Sequence, residues 1–180
     1  MASRCQLYLA ISASLAASSS LVEEALAAAS APSLLVMGEG DLKRLAVIIE
    51  AAHRQNATVL TDNPQVWANL QGFDGLHASG GAQALAAARA TVGSEGVVGM
   101  ESHLSRHEAM MFAEAGADYV AFGHGAEATG EALDDLAEMV DWWSDLIEVP
   151  CAVHLPAGAG ETAWRKLVAA GADFIIPGLD

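Results

Sequence analysis

The feature that most constrains the fold is a short unit of sequence that occurs three times. The copies lie at Gln71–His77, Ala115–Gly123 and Ala170–Gly178. Each copy predicts a helix that ends at a glycine just past its last turn, then a tight turn and a short apolar strand. A chain that repeats helix, glycine and strand in this order builds parallel β/α units.

The same rules predict eight strands, which alternate with seven helices along the chain. The predicted strands are continuous apolar runs, which is typical of a parallel sheet buried on both faces. No Gly-x-Gly-x-x-Gly turn follows the first strand, so an open dinucleotide-binding sheet is disfavoured. We therefore expect one (β/α)8 TIM-barrel domain over residues 1–180. The strands are expected near 6–12, 33–37, 57–61, 74–78, 95–100, 118–122, 150–155 and 173–177, and the helices near 20–30, 41–55, 64–71, 82–91, 105–115, 130–146 and 161–170.

Several of these helices carry explicit start signals. Ser20 with Glu23 forms a capping-box pattern for the first helix, and Ser105 with Glu108 forms another for the fifth. Asp41 is the expected cap of the second helix, and Asn63-Pro64 opens the third.

The barrel is expected to lack its last helix, because the eighth predicted strand ends near residue 177 of 180. A missing helix would leave apolar sheet surface exposed, and such surface usually belongs to an interface. We therefore predict a homodimer, with Trp142, Trp143 and the region near Leu179 as candidate contacts.

Charge and composition exclude some functions. The chain has a formal net charge of −15 and only 8 basic residues, which disfavours binding to nucleic acid. No apolar run is long enough to suggest a membrane span. Cys5 and Cys151 have no metal-binding or redox spacing, which fits a reducing compartment. A cytoplasmic location is expected, although the segment after Arg4 loosely resembles a signal peptide.

The active site of such a barrel lies at the carboxyl ends of the strands. The polar and glycine residues expected there follow strands three to seven, and they are Asp62, His77, Glu101, His103, His124, His154, Gly158 and Gly160.

Four segments resemble the thiamine phosphate synthase family in order and spacing. They are Ala115–Gly123, Asp74–His77, Val98–His103 and Glu148–Cys151. The resemblance implies a (β/α)8 barrel that binds a small phosphorylated heterocycle. The family joins a pyrimidine diphosphate to thiazole phosphate with Mg²⁺, a transferase reaction. A related branch, the thiazole tautomerases, isomerises thiazole phosphate by proton transfer.

Carried over residue by residue, the resemblance implies that Asp62 binds Mg²⁺. At the position where the family has a second carboxylate for Mg²⁺, this chain has Ala82. The family's cations that bind the diphosphate correspond to residues 35–39, and this stretch contains no lysine or arginine. Gly158, Gly160 and Gly178 are the predicted phosphate-binding residues, because backbone N–H groups before a helix favour an anion. His124 and Glu101 are the predicted catalytic residues.

These departures leave three functions open. The first is an enzyme of thiamine biosynthesis that acts on or binds thiazole phosphate, with the condensation itself in question. The second is a thiazole tautomerase, since the order Phe122-Gly123-His124 resembles that branch and imidazole exchanges protons near neutrality. The third is a non-catalytic barrel that binds a phosphorylated ligand or a partner protein. A transition-metal site built from His77, Glu101, His124 and His154 is a further alternative.

Overall fold

The computed structural model shows a closed ring of eight parallel strands in sequence order. The structure describes residues 5–14, 18–29, 33–123, 125–126 and 129–177. Within these residues the last strand pairs with the first, Gln6 opposite Phe174 and Leu7 opposite Ile175, which closes the ring. The predicted (β/α)8 barrel is therefore confirmed.

Strands and helices alternate through the described part of the chain. The strands are β1 (Gln6–Ser12), β2 (Ser33–Met37), β3 (Thr58–Thr61), β4 (Gly75–Ser79), β5 (Val97–Glu101), β6 (Tyr119–Phe122), β7 (Cys151–His154) and β8 (Phe174–Ile176). The helices are α1 (Ser19–Ala29), α2 (Leu42–Arg54), α3 (Pro64–Asn69), α4 (Ala82–Val92), α5 (Arg106–Glu114), α6 (Gly130–Leu146) and α7 (Glu161–Ala169). No helix follows β8 within the described residues.

Three of the predicted helix starts are confirmed. The side chains of Asp41, Asn63 and Ser105 each accept backbone N–H groups from the first turn of α2, α3 and α5. The predicted start of α1, near residue 20, lies too late in the chain. This helix begins at Ser19, and Ser18, not Ser20, accepts the N–H of Leu21 at 3.4 Å.

The repeated glycines end two of the helices as predicted. Gly116 after α5 and Gly171 after α7 have φ of +90° and +100°, a conformation that glycine adopts without a steric penalty. Gly72 also has a positive φ, but α3 ends three residues before it, so this glycine turns the loop rather than the helix end.

The core has two parts, one inside the ring of strands and one between the strands and the helices. The interior is filled by inward-facing residues, among them Tyr8, Leu35, Leu60, Tyr119 and Ile176. The outer part packs the helices against the sheet in two clusters. A barrel interior filled in this way is a core and not a pore, so ligands reach only its ends.

Trp143 belongs to that outer core. Its side chain is fully buried and its Nε1 donates to the carbonyl of Val149 at 2.7 Å. The prediction of Trp143 as an interface contact is therefore wrong, because it has no surface to offer. Trp142 is partly exposed and packs under the guanidinium of Arg106, 4.9 Å from the ring centre. Leu179 lies outside the described residues.

Among the helices of the described chain, none is both long and apolar enough to cross a bilayer.

Candidate functional site

A buried carboxylate lies at the carboxyl end of the barrel, between two imidazoles. Glu101 ends β5 and is 3% exposed. Its Oε2 lies 3.0 Å from Nε2 of His154, which ends β7, and 3.6 Å from Nε2 of His77 on β4. The structure thus brings together three of the residues that the sequence places at strand ends.

The barrel allows this convergence because the strand between β5 and β7 contributes little side-chain volume. Ala121 of β6 pairs in register with Glu101, and its methyl group faces the barrel interior. A larger side chain at this level would separate Glu101 from His154. The approach of the carboxylate to the imidazole therefore depends on a small residue that carries no chemistry of its own.

The surroundings of Glu101 keep it ionised. Burial alone would raise the pKa of this carboxyl, but hydrogen bonding and charge from His154 and His77 outweigh burial and lower the pKa to about 2. Its other oxygen, Oε1, accepts the backbone N–H of His103 at 3.3 Å. At neutral pH the carboxyl group of Glu101 is therefore ionised.

Two buried tyrosines fix the orientation of His77. The hydroxyl of Tyr119 lies 2.6 Å from Nδ1 of His77 and 3.0 Å from the hydroxyl of Tyr8. Burial raises the pKa of Tyr119 well above its ordinary value, so this phenol stays protonated. With Nδ1 occupied by the phenol, the Nε2 atom of His77 is turned toward Glu101.

Gly99 makes room for this arrangement. It pairs in register with His77 on one side and with Tyr119 on the other. A Cβ at this position would lie 2.0 Å from Cζ of the Tyr119 ring, which no real structure tolerates. Because residue 99 has no side chain, the Tyr119 ring leans across β5 and reaches His77.

The centre opens into two adjoining cavities. A cavity of about 220 Å³ lies directly above it, and its lining includes Asp62, Ser79 and His103. A second cavity of about 400 Å³ is lined by residues of the β6 and β7 loops, including Gly123, Gly125 and Pro156. Both cavities are lined by Met37 and His154, so a ligand with two chemical parts could occupy both. Ligand pockets of proteins typically have volumes of about 300–1,000 Å³, and the larger cavity falls within this range.

Among the described residues, Asp62 is accompanied by only part of what the family resemblance implies for a magnesium diphosphate site. One oxygen of Asp62 accepts the N–H of Gly38 at 2.7 Å, and residue 82, expected to supply a second carboxylate, is alanine. No lysine or arginine is among the described residues that line the two cavities. Since Mg²⁺ on diphosphate is held by carboxylates with flanking cations, the assignment of Mg²⁺ to Asp62 stays a prediction.

Most of the cations are engaged elsewhere. Five of them pair with carboxylates, as Arg54–Glu23, Arg89–Asp118, Arg106–Glu138, Arg165–Glu161 and Lys166–Asp134. Lys43 and Arg44 lie in the first turn of α2, which follows the carboxyl end of β2. The positive charge expected of a diphosphate site is therefore sparse among the described residues at this end.

The loop before α7 carries two of the predicted phosphate residues. Gly160 is the cap residue of α7 and provides no side-chain acceptor for the N–H groups of the first turn. Gly158 has φ of +73°, and a Cβ on either glycine would meet open space. Gly178 and His124 lie outside the described residues. The glycines flanking His124, Gly123 and Gly125, line the larger cavity.

Sequence reasoning named His77, Glu101 and His154 but missed the tyrosines behind them. Tyr119 lies within one of the repeated units and Tyr8 within an apolar strand, where both look like ordinary core residues. A signal existed in Gly99, because a glycine inside a strand often marks a place where another group approaches closely.

Comparison with known proteins identifies relatives of the chain. The family described as thiamine monophosphate synthase matches residues 12–176. A thiamine-phosphate synthase from Rhodospirillum centenum is 40% identical over 126 residues, which cover 68% of this chain and 58% of that protein. One from Erythrobacter litoralis is 37% identical over 106 residues, covering 57% of this chain and 49% of that protein. The chain thus matches about half the length of these relatives.

The fold has a counterpart among solved structures. Thiamine phosphate pyrophosphorylase from Pyrococcus furiosus superposes with a TM-score of 0.74, at 17% sequence identity, and covers 97% of this chain and 85% of that one. At this identity the likeness concerns the barrel itself and not its chemistry.

Proposed function

This chain belongs to the thiamine monophosphate synthase family, and from that membership we propose that it acts on a small phosphorylated heterocycle of the thiazole phosphate class. We further propose that the reaction is a proton transfer within the heterocycle, as in a thiazole tautomerase, rather than condensation with a diphosphate.

One observation carries the choice between these reactions. The cavities at the carboxyl end contain a buried carboxylate between two imidazoles, and no cation lines them within the described residues. Condensation must neutralise roughly three negative charges on the diphosphate that leaves, which needs cations or metal ions. Isomerisation has no such leaving group and needs only groups that orient the ring and exchange a proton.

The phosphate of the ligand is assigned to the start of α7. Gly160 leaves the first N–H groups of this helix without a side-chain cap, and the helix dipole favours an anion there. Gly158 belongs to the same turn, and Gly178 is proposed from the sequence alone. His154 and Pro156 line the larger cavity and lie just before this turn, so the ring and the phosphate would lie side by side.

His124 is the group that we propose for the proton transfer. Its neighbours Gly123 and Gly125 line the larger cavity, which supports a location close to the heterocycle. Glu101 is proposed to act through the imidazoles of His77 and His154, which it holds toward the ligand.

The test follows a thiazole phosphate by proton NMR in D₂O. The protein is expected to exchange or shift a ring proton, and His124→Ala is expected to reduce the rate by at least about 100-fold, in the range of general acid–base catalysis. His107→Ala is the matched control, because His107 lies exposed on α5. Equal rates for His124→Ala and the unsubstituted protein would contradict the role of His124.

A parallel assay decides between isomerisation and condensation. The protein is mixed with the pyrimidine diphosphate, thiazole phosphate and Mg²⁺, and thiamine phosphate is measured. We expect no product above the level of Asp62→Ala. Turnover that depends on Asp62 would overturn the proposal and restore condensation. The homodimer and the cytoplasmic location stay predictions.

If neither assay shows turnover, a thermal-shift measurement asks whether the barrel binds without catalysis. Thiazole phosphate, thiamine phosphate and inorganic phosphate are the probes. A ligand at about 100 times its dissociation constant adds about 2.7 kcal/mol to the free energy of unfolding. A shift with thiazole phosphate alone would support a binding protein.

A further inference from the structure

We propose that His77, Glu101 and His154 form a binding site for one transition-metal ion of the Zn²⁺ class, with a fourth position open to water or to a heteroatom of the bound ligand. The proposal concerns the ligand-free protein and does not depend on the substrate proposed above.

The first argument is the convergence of the three ligand atoms. One atom from each of the three residues lies within 4.8 Å of the other two. Nε2 of His154 and Nε2 of His77 lie 3.0 and 3.6 Å from Oε2 of Glu101. Nitrogen and oxygen ligands of a tetrahedral zinc ion at its usual bond lengths lie about 3.3 Å apart. These two separations bracket that spacing, and the three residues already converge to within 4.8 Å of one another.

The second argument concerns the groups that surround the two oxygens of the Glu101 carboxylate. Oε1 of Glu101 accepts the backbone N–H of His103, whereas Oε2 is buried and faces the Nε2 atoms of His154 and His77. A buried carboxylate is normally paired with a cation or coordinates a metal. No lysine or arginine lines the cavity above it within the described chain. A divalent ion would supply the missing positive charge.

The third argument is the support behind His77. The hydroxyl of Tyr119 lies 2.6 Å from Nδ1 of His77, and the hydroxyl of Tyr8 lies 3.0 Å from that of Tyr119. Histidine ligands of metals almost always use their second ring nitrogen in such a hydrogen bond, which fixes the ring and the tautomer. Here it would keep the hydrogen on Nδ1 and the lone pair of Nε2 directed at the ion.

The choice of metal follows from the ligand set. Two imidazoles and one carboxylate suit zinc and similar first-row ions, whereas Mg²⁺ prefers oxygen ligands alone. Three protein ligands with an open fourth position are typical of catalytic rather than structural zinc sites. Such an ion would act as a Lewis acid toward an atom of the bound ligand. The imidazoles would then be ligands, which leaves proton transfer to His124.

The experiment titrates Co²⁺ and then Zn²⁺ into untagged, chelator-treated protein. Co²⁺ is expected to bind one ion per chain with visible absorption bands, which an equivalent of Zn²⁺ abolishes and excess Mg²⁺ does not. His77→Ala, His154→Ala and Glu101→Gln are each expected to weaken Zn²⁺ binding by at least about 100-fold. Tyr119→Phe is expected to weaken it by about 10- to 100-fold, because it touches only the support of His77.

The matched control is His53→Ala. His53 forms an exposed pair with Asp74, with Nε2 and Oδ2 3.1 Å apart, at the other end of the barrel. This pair has the same two group types, an imidazole and a carboxylate, but no third ligand among the residues that the structure describes. The loss of His53 is therefore expected to leave Zn²⁺ binding unchanged. Circular dichroism establishes that each variant is folded. If Glu101→Gln does not fold, His154→Asn takes its place in the series.

Two results would overturn the proposal. One is the absence of any stoichiometric ion, which would mean that Glu101 is neutralised by a protonated imidazole instead. The other is Zn²⁺ binding that the four variants of the centre leave unchanged, which would place the ion elsewhere. Neither result bears on the isomerisation assay, which uses the phosphorylated ligand, so the two proposals fail separately.

Discussion

The two ends of the barrel use carboxylates in opposite ways. At the amino end, Asp74, Asp118 and Asp173 each precede a strand and accept the backbone N–H of a residue at the start of the preceding strand. At the carboxyl end, Glu101 is buried and faces two imidazoles. The aspartates provide hydrogen-bond acceptors for backbone N–H groups, whereas Glu101 and its two imidazoles line a cavity.

The comparison shows that one type of group, a carboxylate, can support the repeated fold at one end of the barrel and the candidate site at the other. The three aspartates occupy the same place in the three repeated units, and they accept the backbone N–H groups of Val59, Val98 and Cys151. A carboxylate that accepts a strand N–H joins neighbouring strands and contributes to stability. Glu101 itself lies outside the repeated units, and its partners are His77 on β4 and His154 on β7. We expect substitutions at the two ends to separate stability from function.

The largest effect is expected for Glu101→Ala. Removing the carboxylate releases both imidazoles, so turnover of the phosphorylated ligand should fall by at least about 100-fold, equivalent to about 2.7 kcal/mol. Initial rates measured by NMR check this prediction. If Glu101→Ala retains most of its activity while Asp118→Ala loses it, the functional roles of the two ends are the reverse of those described.

The next largest effect is expected for Gly99→Ala, which tests whether the Tyr119 ring needs the space at residue 99 to support His77. The added Cβ collides with the Tyr119 ring, and overpacking of this kind typically costs about 1–3 kcal/mol. We expect a loss of about 2 kcal/mol in the free energy of unfolding, measured by urea denaturation, together with weaker Zn²⁺ binding. Gly81→Ala is the control, since a Cβ there meets open space at an extended φ of −75°. An unchanged stability for Gly99→Ala would show that Tyr119 does not depend on this gap.

A smaller effect is expected at the amino end for Asp118→Ala. The variant loses the hydrogen bonds from Val98 N–H and from Arg89, both to Oδ2 of Asp118. Because Asp118 is partly exposed, the expected loss is about 1.5 kcal/mol in the free energy of unfolding, at the lower end for bonds to a charged group. Turnover per folded molecule should not change. A loss of turnover without a loss of stability would contradict the separation of the two ends.

The smallest effect concerns the thiol of Cys151, next to the Asp173 acceptor. Burial, with a smaller contribution from the nearby charge of Asp173, raises the pKa of this thiol to about 12, and its side chain is fully buried. The thiolate is the reactive form of cysteine, so iodoacetamide at pH 8 should not label Cys151 in the folded protein. Mass spectrometry of peptides, with a urea-unfolded sample as the positive control, checks this. Rapid labelling of the folded protein would indicate that this end opens readily.

Much of the fold follows from local patterns. The predicted strands and helices match the observed elements to within a few residues, and Asp41, Asn63 and Ser105 cap their helices as expected. The exception is also local, because three consecutive serines, Ser18 to Ser20, lie where α1 begins, and the structure uses Ser18 as the acceptor. Capping depends on residues within one turn of each other, which is why sequence reveals it.

The site could be predicted only in part. The sequence places His77, Glu101 and His154 at strand ends, but not within contact of one another. Their contact depends on the small side chain of Ala121 and on the tilt and register of a closed ring. His124 and Gly178 stay predictions from the sequence, because they lie outside the described residues.

The amino-acid sequence alone determines the barrel, the order of its elements and the scarcity of positive charge. Periodicity, glycine turns and caps are local in the chain, and charge can be counted from the composition. Only the tertiary structure decides that a carboxylate of β5 lies between imidazoles of β4 and β7, and that two tyrosines orient one of them. The reason is physical: contacts across the ring depend on closure, register and the volumes of intervening side chains, none of which a local pattern encodes.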